Sequence, residues 1–260
     1  MCDIKLSVVT VALNDLKGLR QTIMCMDNLL MGRTESNVVE HVIIDGDSSD
    51  GTKEFLNDLV SYRSIKTIII SERDRGVYDA MNKGIFLSSG AFITFINAGD
   101  LFASSLNFLD IFDDLDASQN NTKEAGIVYS ARINFNKKEY TANPRMVTRN
   151  NPRLPGIHQA MVYKRAIIVN NIFNINYKIC GDYENFARIF NLKLVFRPIK
   201  RDFVIFYSGG ISSNNPFKLF KESISITNKY FHLNLIDRVV LTLRLIIKLI
   251  IFQVIILLYK

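Results

Sequence analysis

Along the first hundred residues, short apolar runs rich in β-branched side chains alternate with segments whose apolar positions recur at helical spacing. The runs Leu6–Leu13, Val38–Ile44, Lys66–Ser71 and Ala91–Ile96 predict strands. Between the first two, Leu16, Leu19, Ile23, Met26 and Leu30 follow one another at intervals of three and four. That spacing predicts a helix with a single apolar stripe turned toward a sheet. A second helix is expected to begin near Asp50-Gly51-Thr52, with Phe55, Leu56, Leu59 and Val60 inward, and a third to cover Val77–Leu87. Strands and helices in alternation predict βαβ units and an α/β fold built on a mostly parallel central sheet flanked by helices. From about Ala125 the alternation fades, and Asn143–Pro155 holds three of the five prolines, which predicts a loop-rich second half. After Pro216 the pattern turns helical and then strongly aliphatic.

The chain of 260 residues, 48% of them apolar, can bury the core of one large domain or of two closely joined halves. The expected organisation is a first half over 1–125, a second over 126–215 and a basic amphipathic tail over 216–260. Cys2, Cys25 and Cys180 are far apart and odd in number, so they predict neither a disulfide framework nor a zinc site. The short apolar run near the N-terminus is wrongly flanked for a signal peptide, and a cytoplasmic location is expected. The formal charge of +7 collects in the tail: Lys218, Lys221, Lys229, Arg238, Arg244, Lys248 and Lys260 stand against Glu222 and Asp237. These basic residues are interleaved with aliphatic runs and not with base-stacking aromatics, so the expected partner is an anionic membrane surface and not a nucleic acid. The uncharged run after Lys248 is too short to span a bilayer. A helix lying on the inner face of the membrane is therefore expected; packing on the body or in a homo-oligomer is the alternative.

In an open parallel sheet, ligands bind beyond the carboxyl ends of the strands. Polar residues collect at all four predicted ends: Asn14 after the first, Asp45 to Thr52 after the second, Glu72 to Gly76 after the third, and Asn97-Ala98-Gly99-Asp100 after the fourth. Each also has an ordinary reading. The Asp45 cluster resembles a turn with a helix cap, Asp100 a cap for the segment starting at Leu101, and Asp79 with Lys83 a solvated ion pair on one helix face. Arg73 and Arg75 read either as surface charge or as contacts to phosphate or sugar.

In this order, Ser7 to Asn14, Ile44 to Thr52, Ser71 to Gly84 and Phe95 to Asp100 resemble the family 2 glycosyltransferases of GT-A fold. Leu154 to Ala160, Gly181-Asp182-Tyr183 and Gly209 to Ser213 are similar to the branch that acts in colanic acid synthesis. The resemblance implies an inverting, metal-dependent hexosyltransferase of surface polysaccharide synthesis, with a nucleotide-sugar donor and a lipid-linked saccharide acceptor. It implies that Thr10, Ala12 and Asn14 border the nucleotide and that Asp45 binds the base. Arg73, Asp74, Asp79, Asn82 and Gly99 belong to the same donor site. Asp100 becomes the ligand of Mg²⁺ or Mn²⁺; His158, from its place between a proline-rich loop and an apolar run, reads as a metal or phosphate contact. Asp182 becomes the base; from its surroundings alone it reads equally as a helix cap, and His158 as an interior histidine. One departure stands out: the family motif usually has an acid where this chain has Gly99. Two competing classes are a catalytically silent sugar-nucleotide-binding subunit and a structural membrane adaptor.

Overall fold

The computed structural model of the protein describes residues 4–59, 63–135, 138–207 and 215–243. Its strands are β1 (Leu6–Ala12), β2 (Val39–Asp45), β3 (Lys66–Ser71), β4 (Phe92–Phe95), β5 (Leu101–Phe102), β6 (Glu124–Phe135), β7 (Lys138–Ala142), β8 (Met161–Lys164) and β9 (Val195–Tyr207). They join in one sheet of order β3-β2-β1-β4-β8-β6-β9-β5, with β7 on the side of β6. The α-helices are α1 (Leu16–Leu30), α2 (Thr52–Leu59), α3 (Val77–Leu87), α4 (Phe108–Gln119), α5 (Arg165–Ile168), α6 (Gly181–Asn191) and α7 (Pro216–Tyr230).

Strands β3, β2, β1 and β4 run parallel. Both faces of β1 and β2 are buried, as continuous β-branched runs require. Alternate residues go to opposite layers: Ala12 and Ile43 pack with Leu19 and Ile23 of α1 and Leu56 and Leu59 of α2, whereas Val9, Val11, Val42 and Ile44 pack with Met81 and Ile85 of α3. Burying one such Leu or Ile stabilises by about 1.5–3 kcal/mol, so this two-sided packing holds the strand ends in place. The first three predicted helices and four predicted strands agree with these elements to within a residue or two. Val60 lies outside the described residues.

At β4 the sheet changes character, because β8 pairs antiparallel to both β4 and β6. Residue 125, where the sequence pattern fades, falls inside β6. The stretch 143–157 is mostly irregular, in keeping with its prolines, but the rest of the second half extends the sheet. Its long strand β9 carries Pro198 and meets β6 through register shifts, which is why no simple alternation announces it. The stretch after Gly99 also differs from the cap reading, since Leu101–Phe102 is a short strand paired with β9 and no helix begins there.

The first part of the basic tail belongs to the body. Thr227 and Ile226 of α7 are buried; the hydroxyls of Tyr183 and Thr227 lie 3.0 Å apart, and Tyr230 donates to Glu184 at 2.6 Å. The carboxylate of Glu222 accepts from the N–H groups of Lys178, Ile179 and Cys180 at 2.9 to 3.0 Å. Those donors lie at the entry to α6, whose cap residue Cys180 offers no side-chain bond of its own. Beyond Asn234 the chain is helical again over 235–243 and exposes Leu235, Ile236, Val239, Val240 and Leu243. Among the described residues no helix is long and apolar enough to cross a membrane. The remaining aliphatic run, like the Gly209 to Ser213 motif, lies outside the described residues.

Candidate active site

The end of β1, the turn after β4, the starts of α3 and α6, and the segment 151–159 enclose a cleft of about 1320 Å³. Of the residues singled out in the sequence, Ala12, Asp74, Gly99, Asp100, His158 and Asp182 line it, and Thr10, Asn14, Asp45, Arg73, Asp79 and Asn82 do not.

Asp100 is only 5% exposed. Its Oδ2 accepts from Nε2 of Gln159 at 3.0 Å and its Oδ1 from the Tyr207 N–H at 3.3 Å. Both donors are neutral, so burial dominates and pushes its pKa up to about 7. Around it the turn is tied to α1 by the hydroxyl of Thr22, which donates to the Asp100 carbonyl at 2.8 Å and accepts from the Gly99 N–H at 3.0 Å. Gly99 itself has φ +88°, in the left-handed region that favours glycine. A Cβ there would stand 3.5 Å from Oδ2 of Asp15, another carboxylate on the cleft wall.

His158 is buried and stacks on Phe95 with ring centroids 5.3 Å apart. Burial pushes its pKa down to about 4, so the ring is neutral, and its buried Nε2 has no hydrogen-bond partner among the described residues. A neutral imidazole with an unused nitrogen and a nearly buried carboxylate line the same cleft, and both are donor types that a divalent cation takes. Among the described residues no three His, Cys, Asp or Glu side chains gather into a metal cage. A cation here would thus complete its shell with water and substrate phosphate, the habit of Mg²⁺.

Asp182 sits in the first turn of α6, two positions past the cap residue Cys180. Burial pushes its pKa up to about 6, partly offset by hydrogen bonds. Two donors meet the same oxygen: the Tyr183 N–H reaches Oδ1 at 2.8 Å and the Tyr78 hydroxyl at 3.2 Å. Oδ2 is left for another partner. The one hydrogen of the Tyr78 hydroxyl is shared with the nearer Ile179 carbonyl, 2.7 Å away, and a Cβ on Gly181 would come within 2.7 Å of its ring. Only glycine lets the start of α6 lie this close to α3.

The remaining candidates have other partners. Thr10 is fully buried, its hydroxyl 2.8 Å from Nε2 of His41, on the α1 side of the sheet. The amide of Asn82 bridges to another segment, donating to the Phe173 carbonyl at 2.9 Å and accepting from the Phe173 N–H at 2.8 Å. Asp45 is fully buried and accepts from the hydroxyls of Ser48 and Ser71 and from the Ser48 N–H, with Ser71 at 2.6 Å. Asn14, at φ +50°, accepts from the Ser49 N–H at 2.9 Å. Asp79 pairs with Arg75 at 3.0 Å and not with Lys83, which pairs with Glu72 at 2.8 Å. Arg73 is exposed, and its carbonyl accepts from Lys83 at 3.0 Å.

Several cleft residues escaped the sequence reading. Asp15 was not singled out; it caps α1, accepting from the Gly18 N–H at 2.9 Å, and also lines the cleft. Gln159 lies inside the Leu154 to Ala160 segment, so its neighbourhood was legible but not its bond to Asp100. Thr22 and Tyr78 lie in predicted helices with no role assigned to them, and only tertiary contacts reveal them.

Residues 7–169, more than half of the chain, match the family described as Glycosyl transferase family 2, and the chain belongs to that family. It is a glycosyltransferase of the family 2 type. It is 27% identical over 212 residues to a "PGL/p-HBAD biosynthesis glycosyltransferase" of Mycobacterium bovis, covering 79% of each chain. Two solved structures share the fold at low identity. One is S. aureus TarS 1-349 in complex with UDP-GlcNAc, at 13% identity and TM-score 0.63, covering 86% of this chain and 65% of that one. This chain spans only 39% of the longer TarS chain. The other is the mannosyltransferase PcManGT from Pyrobaculum calidifontis in complex with GDP-Man and Mn²⁺, at 13% identity and TM-score 0.63, covering 86% and 63%. The fold is GT-A-like, an α/β architecture with a mixed, mostly parallel sheet flanked by helices.

Proposed function

We propose that the protein is an inverting, metal-dependent transferase that moves a sugar from a nucleotide-diphosphate donor to a lipid-linked saccharide in bacterial surface polysaccharide synthesis. The observation that carries this reading is the meeting of Asp100 and Asp182 on one cleft at the strand ends, both with pKa values raised by burial. A hydroxyl is a weak nucleophile at neutral pH, so a carboxylate within reach must take its proton as it attacks. Oδ2 of Asp182 is the oxygen for that role, since Oδ1 already holds Tyr78 and the Tyr183 N–H. The acceptor oxygen bonds to the anomeric carbon while the bond to the diphosphate breaks on the opposite side, which inverts the centre. A divalent cation, when bound, neutralises charge on the leaving diphosphate; Asp100 would hold it, with Gln159 and the Tyr207 N–H orienting the carboxylate and His158 at hand.

The donor is proposed to lie along Ala12, Asp74 and Gly99. Asp45 reaches it only if its bonds to Ser48 and Ser71 open. The solved neighbours bind UDP-GlcNAc or GDP-Man, with Mn²⁺ in one case, which supports a nucleotide-sugar donor and a cation. The exposed apolar side chains of 235–243 and the basic tail support a place on the inner face of the membrane. The narrower likeness to the colanic acid branch belongs to the same proposal.

Thermal unfolding with a panel of UDP- and GDP-sugars, with and without Mn²⁺, tests the reading, because a ligand of the folded state alone raises stability. One donor is expected to protect only when the cation is present. Protection by none of them would sink the proposal.

A further inference from the structure

The cleft also carries positive charge that the proposed reaction leaves unused. Arg145 and Arg153 come from the irregular stretch 143–157 and Lys178 from the approach to α6, and all three line the cleft. The ion pairs formed by arginines among the described residues involve Arg63, Arg75, Arg132, Arg188, Arg197 and Arg201, and neither Arg145 nor Arg153. Nε of Arg153 is buried with no hydrogen-bond partner among them, and Lys178 donates to the carbonyl of Arg75 at 3.0 Å. Among the described residues the cleft carboxylates Asp15, Asp74, Asp100 and Asp182 accept from neutral donors, and none of the ion pairs joins them to these cations. The segments outside the described residues contain a single acidic side chain, Asp3.

A buried guanidinium N–H is costly to leave unpaired, and the planar arginine fork matches the oxygens of phosphate and carboxylate. Lys178 stands four residues before Asp182 on the same approach to α6, the side from which the acceptor hydroxyl must come. We infer that Arg145, Arg153 and Lys178 bind an anionic group, a phosphate or a carboxylate, carried by the acceptor beside the hydroxyl that reacts; the inference rests on the proposed transfer reaction. Exposed Arg145 captures the anion at the rim, and Arg153 holds it deeper. The donor's own diphosphate is the other source of the same chemistry, and the test separates the two.

Calorimetry on the full chain would compare dodecyl phosphate with neutral dodecyl maltoside, both below their micelle concentrations, in the presence of saturating UDP or GDP, whichever binds. Dodecyl phosphate is expected to bind at least tenfold more tightly than the maltoside. Arg145→Gln, on an exposed residue that should fold normally, and Arg153→Gln are each expected to lose most of that preference while the nucleotide affinity stays within about twofold. Equal binding of the two amphiphiles, or unchanged phosphate binding in both variants, would overturn the inference. So would a parallel loss of nucleotide affinity in both variants, which would assign the cluster to the donor diphosphate. If neither nucleotide binds the wild-type protein, the transferase reading has failed first, and this inference fails with it.

Discussion

Two aspartates at the ends of strands flanking β1 are held in opposite ways. Asp45, after β2, is wrapped by two hydroxyls and an N–H on the α1 side of the sheet. Asp100, just after β4, faces the cleft with two neutral donors and a pKa raised to about 7. Both follow a buried apolar run, and both read as crevice carboxylates. What separates them is that Asp45 ends a strand whereas Asp100 lies in a turn on the cleft wall, and how many donors wait at each. A carboxylate whose needs are met locally holds its loop in place, whereas one held by few, neutral donors is poised for a ligand. Asp182, with both its donors on a single oxygen, belongs with Asp100.

The sharpest break in this comparison would come from Asp182→Asn. Transfer is expected to fall roughly 10²–10⁴-fold, the usual worth of a general base, with the donor affinity from calorimetry unchanged; full activity would reject the assignment. In the wild type, activity should rise with pH through about 6, where Asp182 loses its proton, and then level off.

Next in size is Asp100→Asn, expected to remove cation-dependent protection by the donor. It also bears on stability. The folded-state pKa of Asp100 is raised from 3.8 to about 7, so its contribution is fully present below the unfolded value and is lost as pH climbs from about 4 to 7. The ligand-free wild type should therefore lose on the order of a few kcal/mol over that window, as read by denaturant titration. Asp100→Asn should lose visibly less, and an identical slope would mean the carboxylate is not held as described.

The closed class predicts the reverse pattern. Asp45→Ala and Asn82→Ala each leave buried donors or acceptors without partners, so each should cost about 1–3 kcal/mol of stability. Asn82→Ala should leave the donor KM unchanged once the protein is folded; a selective rise in KM would return Asn82 to the binding site. The smallest effect is expected from Tyr78→Phe. Losing its hydroxyl removes a bond that favours the charged form of Asp182, so the acid limb of the activity profile should move up by a fraction of a pH unit.

Much of this site was legible because strand ends in a parallel sheet are fixed by periodicity, and periodicity survives in one sequence. The spacing of Leu19, Ile23, Met26 and Leu30 fixed α1, and with it the turn around Gly99. Side-chain direction was harder, since Thr10 and Ala12 share the α1-facing side of β1 yet Ala12 at the strand end lines the cleft and Thr10 is buried against His41. Contacts between distant segments were out of reach: nothing local to Asn82 signals Phe173, and nothing local to Cys180 signals Glu222 of α7. Strand β9 stayed hidden for a different reason, because Pro198 and the register shifts erase its alternation.

The turn at Gly99 limits how this enzyme could be remade. Restoring the family's missing acid by Gly99→Asp would force a side chain into a left-handed backbone and set its carboxylate against that of Asp15. Strain and like charge would both oppose the change, so the substitution alone should weaken cation binding, not strengthen it. A gain would require Asp15→Asn as well, so on this backbone a second carboxylate at position 99 and the Asp15 carboxylate exclude one another.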